Sequence, residues 1–234
     1  MSNARYPDAV DDARDDEPLQ LERVYQQIKS RIVYGHYGPG KVLSESVLAR
    51  VHGSSRTPVR EALSRLAEEG YVDRVPRKGC IVAPITLMAI QNTFDVRRVL
   101  EATAAEKAAE RADADAVARI ASLADYPTFE TTTESYRTRL GANAQFHIAV
   151  AAAGQNGFLV DLVRHCLTQH NRVLSLGLDF PVLPTSVSEH HQIVDAISRH
   201  DAPGARQAME QHLDGAHRLV MDFLMRGRIR GVGL

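Results

Sequence analysis

Two arginines one helical turn apart, Arg56 and Arg60, and three widely separated histidines, His147, His190 and His212, are the side chains whose type and spacing could do chemistry. Arginine carries a planar fork that donates two hydrogen bonds at once, to a carboxylate, a phosphate, or the O6 and N7 edge of guanine. Neutral imidazole is the commonest metal-binding side chain. Either set works only if a scaffold aims it, so the flanking residues must be read for elements.

From Ser44 to Val82 the chain spells two short helices, a tight turn and a basic hairpin. Ser44 is a good N-cap, Glu45 suits the positive helix end, and Leu48, Ala49 and Val51 form an apolar side before Gly53 stops the first helix. Ser55 or Thr57 caps the second, whose first turn tolerates Pro58. Val59, Ala62, Leu63 and Leu66 then make a core-facing stripe, while Arg56, Arg60 and Ser64 fall four apart on the other side. Gly70 ends the helix. Tyr71-Val72-Asp73 and Cys80-Ile81-Val82 read as strands joined by the basic loop Pro76-Arg77-Lys78-Gly79, which can approach a DNA backbone or minor groove. This order is that of a winged helix-turn-helix, with the arginines set for guanine and Thr57 for phosphate or a thymine methyl. A solvated charged helix would explain a lone arginine pair. Here cap, turn, stripe and wing agree on double-stranded DNA.

The runs Gly38-Pro39-Gly40, Leu43-Ser44-Glu45, Leu48-Ala49 and Ser55-Arg56-Thr57-Pro58-Val59-Arg60-Glu61-Ala62-Leu63 resemble the DNA-binding domain of the GntR family of bacterial transcription regulators. The resemblance implies that Ser55, Arg56, Thr57 and Arg60 contact DNA, with Lys78 and Gly79 at the wing tip. Ser46 stands where some members carry a further DNA-contacting arginine.

Composition fits two small domains: 234 residues, 44% hydrophobic. The net charge of -1 hides an uneven distribution. Residues 1–18 carry six Asp or Glu against two Arg and no apolar period, the pattern of a disordered acidic tail. Residues 19–85 reverse the balance, with eleven Lys or Arg against six Asp or Glu, as a nucleic-acid module requires. No apolar run is long enough to span a membrane and no signal region opens the chain, so a cytoplasmic location is expected. Cys80 and Cys166 lack any metal spacing and read as reduced thiols.

Residues 86–234 carry no convincing strand and are expected to form an all-α bundle. Six helices are predicted: 87–111, 115–124, 133–153, 157–176, 185–200 and 202–226. His147 follows Leu140 and Ala144 on one face, His190 leads Ile193, Val194 and Ile197, and His212 lies between Met209 and Ala216 on the stripe to Val220 and Phe223. All three point inward. An inward histidine is often a satisfied core residue, but three from separate helices can converge on a metal, and Asn143, one turn before His147, can add a carbonyl oxygen.

Asn143-Ala144-Gln145-Phe146-His147, Gly154-Gln155-Asn156, Glu189-His190 and His212 are similar to the motifs of the FCD effector domain in the FadR-type branch of that family. The resemblance implies a divalent metal (Zn, Ni or Mn) at Asn143, His147, His190 and His212 beside a small carboxylate effector. It places Arg97 and Asn156 at the effector. Asn143 is the neutral form of a position that others fill with an acid. An alternative for Arg97 is an exposed i, i+4 pair with Glu101. His165, His170, His191, His200 and His217 match no motif and read as surface or packing residues. The expected protein is a homodimeric, ligand-responsive regulator on a pseudo-palindromic operator. Two other readings stand beside it: a metal-dependent hydrolase or lyase fused to a DNA-binding module, although no HExxH pattern is present, and a fatty acyl-CoA sensor.

Overall fold

The structure, a computed structural model, describes residues 16–125, 133–176, 184–226 and 232–233. Most of the acidic stretch expected to be disordered therefore lies outside the described residues. The chain divides into two units, one of residues up to Ile32 with His36–Ala83, the other of Val33–Gly35 with the chain from Pro84 onward.

In the first unit, α1 (Asp16–Val33) begins within the segment read as tail and buries Val24, Ile28 and Ile32. Then come β1 (Val42–Leu43), α2 (Glu45–Val51), α3 (Arg56–Glu68), β2 (Val72–Val75) and β3 (Gly79–Val82). The three strands form an antiparallel sheet in the order β1-β3-β2, with Ile81 opposite both Val42 and Asp73. The stripe Val59, Ala62, Leu63 and Leu66 is almost completely buried. Each buried Val or Leu side chain there is worth ~1.5–3 kcal/mol, enough to fix the rotation of α3 and hence the outward aim of its arginines. Ser44 and Ser55 have the extended backbone of N-caps, but neither side chain makes the expected capping hydrogen bond. The Ser44 hydroxyl pairs with that of Ser46 instead, at 3.0 Å. At the β2–β3 turn Arg77 and Gly79 both have positive φ, 66° and 82°, a conformation free of cost only for the glycine.

The second unit holds β4 (Ile85–Thr86), α4 (Leu87–Arg111), α5 (Ala114–Ala124), α6 (Thr133–Ala153), α7 (Gly157–Leu174), α8 (Pro184–Ser198), α9 (Ala202–Met225) and β5 (Val232–Gly233). The expected helices agree with these to within two residues at each end. The expectation of no strand is corrected, because Ile85 pairs in parallel with Val232 and Thr86 with Gly233. Two residues are too short to show a period-2 pattern in the sequence.

Helix α4 packs against α6, α7, α8 and α9. Its second half is rich in alanine, and Ala102, Ala104, Ala105, Ala108 and Ala109 are all buried. Small side chains let neighbours approach from several directions, so α4 packs on several sides rather than along a single stripe. Thr86, Asp113, Asn156 and Asp201 cap α4, α5, α7 and α9 with side-chain oxygens that accept backbone N–H bonds. Among the described residues no helix is long and apolar enough to cross a membrane.

Candidate nucleic-acid interface and metal centre

In the first unit, Ser55, Arg56, Thr57 and Arg60 all lie exposed on the outer face of the N-terminal half of α3, with Lys78 and Gly79 exposed at the tip of the β2–β3 hairpin. Glu45, at the start of α2, accepts from Arg60 Nε at 3.1 Å and from Nη2 at 2.8 Å. Between α3 and the hairpin lies a cleft of about 410 Å³ whose lining includes Glu45, Arg60, Arg74, Gly79 and Cys80. Sequence reasoning assigned Glu45 only to the helix end and missed this pairing.

In the second unit the three predicted histidines meet. His147 on α6, His190 on α8 and His212 on α9 are buried, and one donor nitrogen from each falls within 4.8 Å of the others. The His190 ring stacks on Phe146, with centroids 3.9 Å apart. Glu189 accepts from His212 Nδ1 at 2.8 Å, which leaves the lone pair of Nε2 as that ring's donor. His147 Nδ1 lies 2.6 Å from Glu101 Oε2, an approach too poorly aligned to count as a regular hydrogen bond, and Nε2 has no hydrogen-bond partner. Burial pushes His147 down to about 4 against the pull of Glu101. It also holds His190 well below the usual histidine range, with the neighbouring His147 and His212 rings adding to the effect. His147 and His190 are therefore neutral and available as ligands near pH 7.

Glu101 was not among the expected site residues. It sits one turn after Arg97 on α4, and Arg97 Nε donates to its Oε1 at 2.6 Å. Both side chains are 1% exposed. The alternative of an exposed pair is thereby corrected: the pair exists, but inside the bundle. Burial alone would raise the Glu101 carboxyl, yet Arg97 and then His147 outweigh it and hold it well below the usual carboxylate range. Arg97 Nη1 is buried with no hydrogen-bond partner among the described residues.

Residues 20–82 match "Bacterial regulatory proteins, gntR family", and residues 92–215, more than half of the chain, match the FCD domain. The chain belongs to the GntR family. The Exu regulon transcriptional regulator of Escherichia coli (strain K12) is 31% identical over 222 residues, covering 85% of this chain and 84% of that protein. An HTH-type transcriptional regulator in an unstable DNA locus of Streptomyces ambofaciens is 29% identical over 207 residues, 88% of this chain and 85% of its own. Among solved structures, E. coli McbR/YncC shares the fold at a TM-score of 0.73 and 19% identity, over 88% of this chain and 98% of that one. These relatives decide between regulator and enzyme in favour of a transcriptional regulator.

Within this GntR regulator the other expected site residues fall as follows. Asn143 is half-buried one turn before His147. Asn156 is exposed, and its side-chain oxygen accepts from Leu159 N at 3.2 Å, so it caps the N-terminus of α7. His165 and His191 are exposed, His191 beside Asp125, and His200 reaches the Ala109 carbonyl. His170 and His217 both pack against Phe94, and His170 is buried. Cys80 and Cys166 are free thiols in different units.

Proposed function

We propose that this GntR-family regulator binds a pseudo-palindromic operator as a homodimer and answers to a small organic acid held beside a divalent metal. The observation that carries the sensing half is the burial of three imidazoles, from three helices, near a buried arginine whose Nη1 has no hydrogen-bond partner among the described residues. The donor set fits a metal: His147 Nε2 is buried without a hydrogen-bond partner, and His147 Nδ1 and His212 Nδ1 each lie beside a carboxylate, as the outer nitrogens of ligand rings do. His147, His190 and His212 would hold the ion with the Asn143 oxygen, and imidazole donors favour Zn or Ni over Mn. Bound there, the ion would supply a positive charge that attracts an oxygen of the acid. Arg97 would clamp the carboxylate through Nη1 and Nη2 while Glu101 holds its other edge. This polar lining suits a small acid better than an acyl chain.

A single α3 reads only a few base pairs, which favours paired half-sites. Val96 and Val99 on α4 and Phe158 and Leu162 on α7, two helices packed together, are exposed apolar residues that support self-association. Effector would favour one arrangement of the bundle and thereby one spacing of the two recognition helices. A regulator of a chromosomal operator would act in the cytoplasm.

A thermal-shift screen of small carboxylates with and without Zn²⁺ tests the sensing half, since a ligand of the folded state alone raises the melting midpoint. The expected result is an acid that stabilises strongly only with metal; equal stabilisation after chelation would remove the metal from the site. For the DNA half, Arg56→Ala should cost ~1–3 kcal/mol on the operator and relax sequence preference. Lys78→Ala should weaken all sequences alike and reduce the salt slope by about 1. Fluorescence anisotropy across a salt series measures both, and equal losses for Arg56→Ala on operator and random DNA would exclude it from base reading.

A further inference from the structure

We infer that Glu45 is a positioning residue for DNA recognition, a carboxylate that fixes the guanidinium of Arg60 for guanine and at the same time opposes binding to random DNA; this rests on the DNA-binding reading above. The geometry gives Arg60 one occupied edge and one free edge. Its Nε–H and one Nη2–H are spent on the two oxygens of Glu45, at 3.1 and 2.8 Å. The parallel end-on N–H pair, one from each Nη, stays open on a side chain that is 65% exposed. That end-on pair is the fork that fits guanine O6 and N7. An unbuttressed arginine has four rotatable side-chain torsions and can swing to a phosphate on any sequence. One held by a carboxylate on a neighbouring helix has its orientation chosen before DNA arrives.

The position of Glu45 adds a second effect. Arg60, then Arg56 and Arg74, lower its carboxyl below the usual range, so it carries full negative charge at neutral pH among three arginines. Glu45, Arg60 and Arg74 also line one cleft between α3 and the hairpin. A fixed negative charge at a surface meant for phosphates weakens binding of every sequence alike. The correct base recovers that loss only where Arg60 finds its guanine, so the residue raises discrimination by penalising everything else.

The two effects predict opposite signs, which a structural role would not produce. Full-length protein is used to enrich binding sites from a random duplex library, and wild type, Glu45→Gln and Arg60→Lys are then titrated against the enriched and a scrambled duplex. Glu45→Gln keeps the shape and the N–H-accepting oxygen but loses the charge and the two-point grip. It should bind scrambled DNA more tightly than wild type, with a steeper salt dependence, and bind the enriched site no more tightly, so that the specificity ratio falls about 10-fold. Arg60→Lys, which keeps charge but has no fork, should lower the ratio while leaving scrambled binding close to wild type. A Glu45→Gln variant with an unchanged ratio, or one that loses affinity for both duplexes in parallel, overturns the inference and leaves the DNA-binding reading intact. A wild-type protein that enriches no motif overturns both.

Discussion

Wild-type protein will carry about one divalent ion per chain, and His190→Ala or His212→Ala will lose it. Removing an outer partner of a metal ligand costs ~10–100-fold in affinity, and removing a ligand itself must cost more. The structure offers that comparison within one site. Glu189 holds His212 at 2.8 Å, so Glu189→Gln should weaken Zn²⁺ binding within the ~10–100-fold range, while His212→Ala should exceed it. Acid should act through the same rings. His147 has its folded value lowered to about 4, below the 6.5 of the unfolded chain, so the unfolded state takes up the proton first. Stability of the metal-free protein is then fully present above about pH 6.5 and falls as pH drops toward 4. Bound metal raises stability near neutral pH and steepens that loss, because a proton and an ion compete for one lone pair. Elemental analysis after reconstitution, a competition titration, and melting curves with and without chelator measure these outcomes. Absence of metal from the reconstituted protein would leave the three histidines as a buried aromatic cluster.

The helices were legible because their apolar spacing and caps were local: Val59, Ala62, Leu63 and Leu66 announce α3, and Asp113 and Asp201 announce where α5 and α9 begin. The inward turn of His147, His190 and His212 was legible for the same reason. Their convergence was not, since it depends on how α6, α8 and α9 pack, and the sequence states no crossing angle. Glu101 was hidden more deeply. An Arg and a Glu four apart on a helix ordinarily mark a solvated face. Only the enclosure of α4 by four other helices, permitted by its alanines, puts this pair inside. Glu45 was read correctly but incompletely: the local rule about helix ends accounted for it, so nothing pointed to an arginine fifteen residues away.

Arg97→Ala is expected to be the most destabilising of the changes considered, by ~3–5 kcal/mol near neutral pH, because it leaves the Glu101 carboxylate buried without its permanent counter-charge. The pH dependence gives the mechanism away. In the wild type, Glu101 is held below its unfolded value, so its contribution is present above about pH 4.5 and lost as pH falls. Without Arg97, burial dominates and raises the carboxyl above that value, so the variant loses stability as pH rises and recovers as it falls. The sign of the slope reverses. A variant as stable as wild type at both pH 5 and pH 7.5 would show that the pair contributes little. The same physics rules out Arg97→Ala as a clean test of effector binding, since loss of response would follow from loss of fold. The double variant Arg97→Met, Glu101→Gln removes both charges, and replacing a buried pair by neutral groups of similar size is often nearly neutral in stability. It should melt close to wild type and still bind Zn²⁺, yet show no further stabilisation by an acid that stabilises the wild type. Continued response to that acid in a folded double variant would take the carboxylate clamp away from Arg97.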